Sequence, residues 1–155
     1  MAQTICFTTS HHQFYINDAE SPADMGSATF WTDDAFEARL AVATGILGVD
    51  TASYGEIALE IATLDAAPAV EELDKFDHVV EAGIQLPSGQ LQITNCPFSE
   101  VVFETKLPKA HYRVRLSYAG LGSQLDEDEN ADDRYLIEVW PDPKDERIIL
   151  KKYAR

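Results

Sequence analysis

The sequence predicts a mainly β fold, an antiparallel β-sandwich with one short α-helix packed against it, in a single domain spanning residues 1–155. Apolar and polar residues alternate with period two in several segments, which is typical of strands with one buried face and hence of antiparallel sheets. Turn residues separate these segments at short intervals, as they do in sandwiches. A chain of 155 residues also has the size of one ordinary domain.

The predicted strands run from the N-terminus to the C-terminus with one helix between them. In "GEIALEIAT", Ile57, Leu59 and Ile61 point to one side and the two glutamates to the other. Gly89 in "LPSGQL" suits a hairpin turn, because glycine readily adopts a positive φ. The strands are predicted at residues 3–8, 12–17, 45–51, 55–63, 75–84, 91–95, 100–105, 111–118, 134–140 and 146–152.

One helix is predicted over residues 32–45, "TDDAFEARLAVATG". Asp34 followed by Glu37 matches a capping box, and Gly45 suits the position just after a helix C-terminus. Trp31, which precedes this segment, is predicted to pack beneath the helix. An apolar stripe at spacing i, i+4 and i+7 is expected to face the sheet; it consists of Phe36, Leu40 and Ala43.

Charged residues occupy the outward-facing positions of the predicted strands. Arg113 and Arg115 alternate with apolar residues in "HYRVRLSY" and predict an outward basic row. Cross-strand ion pairs between such rows would each contribute only about 0.2–1 kcal/mol. The corresponding acidic rows are predicted from Glu56, Glu60, Asp77 and Glu81.

The net charge excludes several classes of partner. The chain has 27 acidic and 12 basic residues, a net charge of −15, and its first hundred residues contain only Arg39 and Lys75 as cations. Binding to nucleic acid or to anionic membranes needs a basic surface, so neither is expected. Such acidity indicates either solubility alone or a basic protein partner that is attracted by long-range electrostatics.

The chain is predicted to be cytoplasmic. No run approaches the roughly 20 apolar residues that a membrane-spanning helix needs. "MAQTICFTTSHHQFY" lacks the basic start and long apolar run of a secretory signal. The two cysteines, Cys6 and Cys96, fit a reducing compartment, although a disulfide between them is a possible alternative.

The segment "LDEDENADDRY" is the predicted partner-binding site. It contains six carboxylates in eight positions, which repel each other unless a cation or a basic partner neutralises them. An EF-hand would need glycine and glutamate where Ala131 and Ile137 stand, so no metal site is predicted. A solvated loop and a partner-binding loop are the two interpretations left. The predicted partner-binding residues are Asp126, Glu127, Asp128, Glu129, Asp132 and Asp133.

No motif for catalysis is present. The sequence has no zinc-ligand spacing, no nucleophile motif and no phosphate-binding loop. His78 lies on an apolar strand face, where a core histidine with satisfied hydrogen bonds is expected. Paired carboxylates could serve glycoside hydrolysis, but no pair stands out among 27 acids. A non-enzymatic protein without a cofactor is therefore predicted.

Two segments, "HHQF" at 11–14 and "FWTDDAFEARLAVATGILGV" at 30–49, combine a short strand with a tryptophan and a helix of small residues, and "LPKAHYRVRL" at 107–116 follows later in the chain. The first two resemble the competence protein J (ComJ) family of bacterial inhibitors of a DNA-entry nuclease, and the third is loosely similar to it. The resemblance implies that Trp31 and the helix that follows are markers of the fold, and it identifies no interface residues in this chain. The resemblance implies an inhibitor whose partner is a nuclease.

The function that we expect is therefore inhibition of a nuclease by an acidic protein that occupies its basic DNA-binding groove. One alternative is an immunity or antitoxin protein for another basic toxin. Another is a sandwich that binds a carbohydrate or small ligand, or a hydrolase that uses paired carboxylates. A concave pocket with convergent aromatic and acidic side chains would favour the last alternative, and a convex acidic surface would favour the inhibitor.

Overall fold

The strands form two sheets. The computed structural model describes residues 2–8, 12–20, 30–51, 56–70, 73–95, 100–121 and 133–153. Sheet A contains, in spatial order, β1 (Ala2–Thr8), β5 (Glu56–Thr63), β10 (Arg134–Pro141), β9 (Ala110–Ala119), β6 (His78–Leu86) and β11 (Ile148–Lys151). Sheet B contains β3 (Leu40–Ala43), β4 (Ile46–Asp50), β2 (Gln13–Asp18), β7 (Gln90–Asn95) and β8 (Glu100–Lys106). The mainly β prediction is confirmed.

Sheet A contains one parallel pair within the mainly antiparallel arrangement that the sequence predicts. Strands β5 and β10 run parallel, with Ala58 opposite Arg134 and Ile61 opposite Ile137. The other pairs in both sheets are antiparallel. Alternation in the sequence does not distinguish a parallel from an antiparallel neighbour here, because a strand with one buried face can pair in either direction.

The two sheets face each other across one hydrophobic core. Ile57, Leu59 and Ile61 of β5 are buried there, as the alternation predicts, together with Phe14 of β2 and Leu47 of β4. Burial of a large aliphatic or aromatic side chain contributes about 1.5–3 kcal/mol. The shared core therefore supplies the main force that holds sheet A on sheet B.

The helix is much shorter than predicted. Helix α1 spans Asp33–Ala38 and its N-cap is Thr32, whose side chain accepts a hydrogen bond from Ala35 N. Arg39 adopts a left-handed conformation, with φ 57°, and ends the helix. The residues that follow form strand β3, because apolar residues at i and i+4 fit a half-buried strand as well as a helix. Among the described residues, no helix has the length and apolarity needed to cross a membrane.

Other parts of the helix prediction change with it. Gly45, with φ 71°, lies in the turn between β3 and β4 and does not cap a helix. Leu40 is buried in the main core, whereas the Phe36 side chain is 47% exposed. The predicted stripe is therefore divided between two elements.

A second, smaller cluster lies on the outer face of sheet B, beneath α1. It combines residues of α1 and the preceding segment with residues of β2, β3 and β4; they are Tyr15, Phe30, Ala35, Ala41 and Ile46, with Trp31 packed against them. Gly48 provides the space, because a Cβ atom there would lie 2.8 Å from the Phe30 ring and 3.0 Å from the Trp31 ring. The prediction that Trp31 packs against the helix is confirmed: its ring stacks on that of Phe36, with ring centroids 5.2 Å apart.

Trp31→Ala is expected to lower the free energy of unfolding by about 2 kcal/mol, less than the 3–5 kcal/mol of a fully buried aromatic residue, because Trp31 is half-buried. Trp31→Phe is the control: it keeps a stacked ring and removes a buried indole N–H that has no hydrogen-bond partner among the described residues, so it should lose much less stability. Urea denaturation measures both. An unchanged midpoint for Trp31→Ala would contradict the packing role.

Candidate partner-binding surface

Burial does not reduce the net negative charge of the surface. The buried ionic side chains of the described residues are three cations and three carboxylates, which cancel. They are Arg39, Arg113 and Arg115, and Asp18, Glu81 and Asp133. The whole excess of acidic over basic residues therefore lies elsewhere in the chain.

The predicted outward basic row is buried, which is a correction. Arg113 and Arg115 do lie on the outer face of sheet A, but they are only 2% and 5% exposed. Arg113 Nε donates to Glu81 Oε1 at 3.0 Å, and Arg115 Nε donates to Glu81 Oε2 at 2.7 Å. The backbone carbonyls of Ala69 and Lys144 accept further hydrogen bonds from the two guanidinium groups. These two arginines therefore offer no cationic surface to a phosphate.

One end of the sandwich collects the start of β5, β6 and β10 and the end of β1 and β9, as their pairing directions require. We call this the loop end. The predicted acidic segment connects β9 to β10 there, between Leu121 and Asp133. Five of the six predicted residues, Asp126, Glu127, Asp128, Glu129 and Asp132, lie outside the described residues.

Asp133 does not behave as an exposed loop residue, and its prediction as a partner contact needs correction. Its side chain is 2% exposed and accepts a hydrogen bond from the Tyr135 hydroxyl. On the other side of the segment, Leu121 N donates to Asp77 Oδ2 at 2.9 Å. Both bases of the acidic segment are therefore fastened to sheet A by a carboxylate.

A groove opens on the outer face of sheet A beside the loop end. Its volume is about 470 Å³, within the range of roughly 300–1,000 Å³ that is common for ligand sites. Strands β5 and β10 form its floor, and Lys75 and Phe76 line it from the segment before β6. The side chains from the two strands and from β1 include Thr4, Ala58, Glu60, Arg134 and Leu136.

A smaller cavity of about 100 Å³ adjoins the groove and contains Glu138, Arg115 and Ser117. Burial raises the pKa of the Glu138 carboxyl; the neighbouring carboxylates Glu81 and Glu60 raise it further, and Arg115 opposes them. Glu138 thus lines the smaller cavity as a carboxyl with a raised pKa, and Glu60 lines the neighbouring groove. Sequence reasoning missed these two sites, because both depend on residues before β6 that have no periodic pattern, among them Ala69, Leu73 and Phe76.

The described histidines that the sequence singled out lie apart from one another. His78 is buried as predicted: its Nε2 lies 2.7 Å from the Ala38 carbonyl oxygen, and Tyr153 N donates to its Nδ1 at 3.1 Å. His111 lies at the opposite end of sheet A beside Asp145. In the parts of the chain that the structure describes, no three histidine, cysteine or acidic side chains come together as metal ligands would.

Comparisons with known proteins identify the fold. No protein-family model and no curated protein sequence matches the chain. The crystal structure of ComJ from Bacillus subtilis, an inhibitor of the DNA-degrading activity of NucA, is similar with a TM-score of 0.66 and 17% sequence identity, over 91% of this chain and 95% of that one. The protein of crocagin biosynthetic gene J is similar with a TM-score of 0.57 and 20% identity, over 91% and 97%. The chain thus has a ComJ-like fold, as the resemblance implied.

Proposed function

We propose that this protein is a non-enzymatic inhibitor that binds a nuclease and blocks its basic DNA-binding groove. The observation that carries the proposal is the fold shared with ComJ, an inhibitor of a nuclease. The net charge of −15 supports it independently. A groove that binds DNA is lined by lysine and arginine, and an acidic protein competes with DNA phosphates for those cations.

In this proposal the phosphate-like charges come from Asp126, Glu127, Asp128, Glu129 and Asp132, without the buried Asp133. Support comes from the described residues on either side of the segment, because Leu121 N donates to Asp77, just before β6, and Asp133 accepts from Tyr135 of β10. A binding segment with fixed ends loses less conformational entropy on association than one with free ends. Exposed Glu56 and Asp74 at the loop end extend the negative potential that would attract the nuclease.

The groove supports a second candidate, a site for a small ligand or for hydrolysis by paired carboxylates. Phe76, Glu60 and Glu138 give the adjoining cavities one aromatic and two acidic side chains, as this alternative requires. Lys75 and Arg134 in the same groove place two cations beside them. The double variant Glu60→Gln/Glu138→Gln separates the candidates: nuclease inhibition persists if the protein is an inhibitor that uses the loop end.

Neutralising four carboxylates of the acidic segment is expected to slow association with the nuclease. The variant carries Asp126→Asn, Asp128→Asn, Glu129→Gln and Asp132→Asn, and keeps the buried Asp133. Removal of charge from the edge of an interface acts mainly on the association rate. Stopped-flow binding at increasing salt should show a slower rate at low salt and convergence with the unmodified protein at high salt, because salt screens exposed charges.

A matched control removes four carboxylates elsewhere. Glu20→Gln, Asp65→Asn, Glu104→Gln and Glu146→Gln change the net charge equally at exposed positions outside the loop end. This control should associate faster than the segment variant at low salt. Equal rates for the two would mean that only total charge matters. If the unmodified protein does not inhibit the nuclease, the inhibitor proposal is rejected, and binding of another basic toxin or of a small ligand is favoured.

A further inference from the structure

Helix α1 carries an exposed aromatic ring on a rigid support. Phe36 is 47% exposed, and its ring stacks on Trp31 with an interplanar angle of 27°. Trp31 in turn packs edge-on against the buried ring of Phe30, at 5.7 Å between centroids. The exposed Val70, Val101 and Ile149 have no such stack beneath them. The exposed face of Phe36 is therefore held in one orientation.

One carboxylate lies on the same face of α1 as this ring. Asp33, three residues before Phe36, lies on the same face of the helix, and Asp33, Asp34 and Glu37 are all exposed. Glu37 forms an ion pair with Lys152. An aromatic face with neighbouring carboxylates suits a guanidinium group, which stacks on the ring while it pairs with an acid. The same acids would repel a phosphate or another anionic ligand.

Helix α1 is connected to the loop end by hydrogen bonds at its C-terminal residues. The carbonyl oxygens of Ala38 and Arg39 accept hydrogen bonds from His78 and from the Tyr118 hydroxyl. His78 begins β6, and Tyr118 lies near the end of β9, just before the acidic segment. A basic partner that contacts the loop end thus finds α1 on the neighbouring surface.

We infer that Phe36 and Asp33 together form a binding point for an arginine side chain of the basic protein partner. This inference rests on the proposed function and names a contact outside the acidic segment. Such anchors at the centre of an interface hold a complex together and act mainly on its dissociation rate, whereas peripheral charges act on association. Changes at Phe36 should therefore act mainly on the dissociation rate, and changes in the acidic segment mainly on the association rate.

The test measures binding of the nuclease to full-length variants by surface plasmon resonance, with thermal melting as a check of folding. Phe36→Ala and Phe36→Leu should each raise the dissociation rate about tenfold, because neither side chain has an aromatic face. Phe36→Tyr should bind like the unmodified protein. Val101→Ala, which truncates an equally exposed side chain on β8, should change the rate less than about twofold. Asp33→Asn should have little further effect once Phe36 is alanine.

Two outcomes overturn the inference in distinguishable ways. If the unmodified protein inhibits the nuclease and Phe36→Leu dissociates at the same rate, α1 lies outside the interface and only the arginine-binding point is rejected. If the unmodified protein binds no nuclease, the proposed function fails and the inference falls with it. If Phe36→Ala melts early, the Leu and Tyr variants, which retain bulk, decide the question.

Discussion

Glu81→Gln is expected to lower the free energy of unfolding by about 3–5 kcal/mol, the cost of removing one partner from a buried ion pair. Glu81 is the shared acceptor of Arg113 and Arg115, with contacts of 3.0 and 2.7 Å. A glutamine has nearly the same shape but removes the carboxylate that both buried guanidinium groups share. Arg113 tolerates this poorly, because its buried Nη2 has no hydrogen-bond partner among the described residues.

Urea denaturation of three proteins checks this expectation. Glu60→Gln is the matched control, since Glu60 is an exposed carboxylate on the same face of sheet A, and it should change stability by less than about 0.5 kcal/mol. The triple variant Glu81→Leu/Arg113→Met/Arg115→Leu should recover most of the loss, because it removes the buried charges together. A Glu81→Gln protein as stable as the control would mean that water reaches the two arginines.

His78→Leu is expected to cost about 2–4 kcal/mol. Tyr153 N donates to Nδ1, so Nε2 carries the hydrogen that is donated to the Ala38 carbonyl. Leucine fills similar space but leaves both backbone groups unpaired, at about 1–3 kcal/mol for each buried group. The contact with the Tyr118 ring, 5.0 Å between centroids, is lost as well.

A double-mutant cycle tests how this histidine acts. Deletion of residues 153–155 removes the Tyr153 donor, so His78→Leu should cost less in the shortened protein than in the full chain. Thermal and urea unfolding provide the free energies. Additive losses would show that the link between His78 and the C-terminal segment contributes nothing to stability.

Most strands could be predicted because alternation depends on local sequence and a shared buried face. Strand β5 is the clearest case, with Ile57, Leu59 and Ile61 inside and Glu56 and Glu60 outside. Strand β3 could not be predicted, since its four residues continue the apolar spacing of α1. Only tertiary pairing with β4 decides in favour of a strand, and that pairing overrides the helical preference of alanine and leucine.

The candidate surface was less predictable because, as for β3, tertiary contacts decide its structure. The acidic segment is visible in sequence as a run of charge, but the burial of Asp133 depends on Tyr135, two residues along β10. In the sequence, Arg113 and Arg115 have the pattern of solvent-facing residues, but in the fold residues 69 and 144 cover them. The segments that cover these side chains and line one side of the groove have no regular secondary structure. No periodic pattern in the sequence therefore predicts their position.

The parallel pairing of β5 with β10 has a consequence for synthesis of the chain on the ribosome. Strand β5 can pair with β1 early, but its other neighbour is made only after β6 to β9. Until then one edge of β5 has open backbone donors and acceptors, which invite pairing with other chains. Glu56 and Glu60 project from this strand, and their charges oppose the approach of a second nascent copy. The acidity of the N-terminal hundred residues would thus also protect a slow, long-range folding step from aggregation.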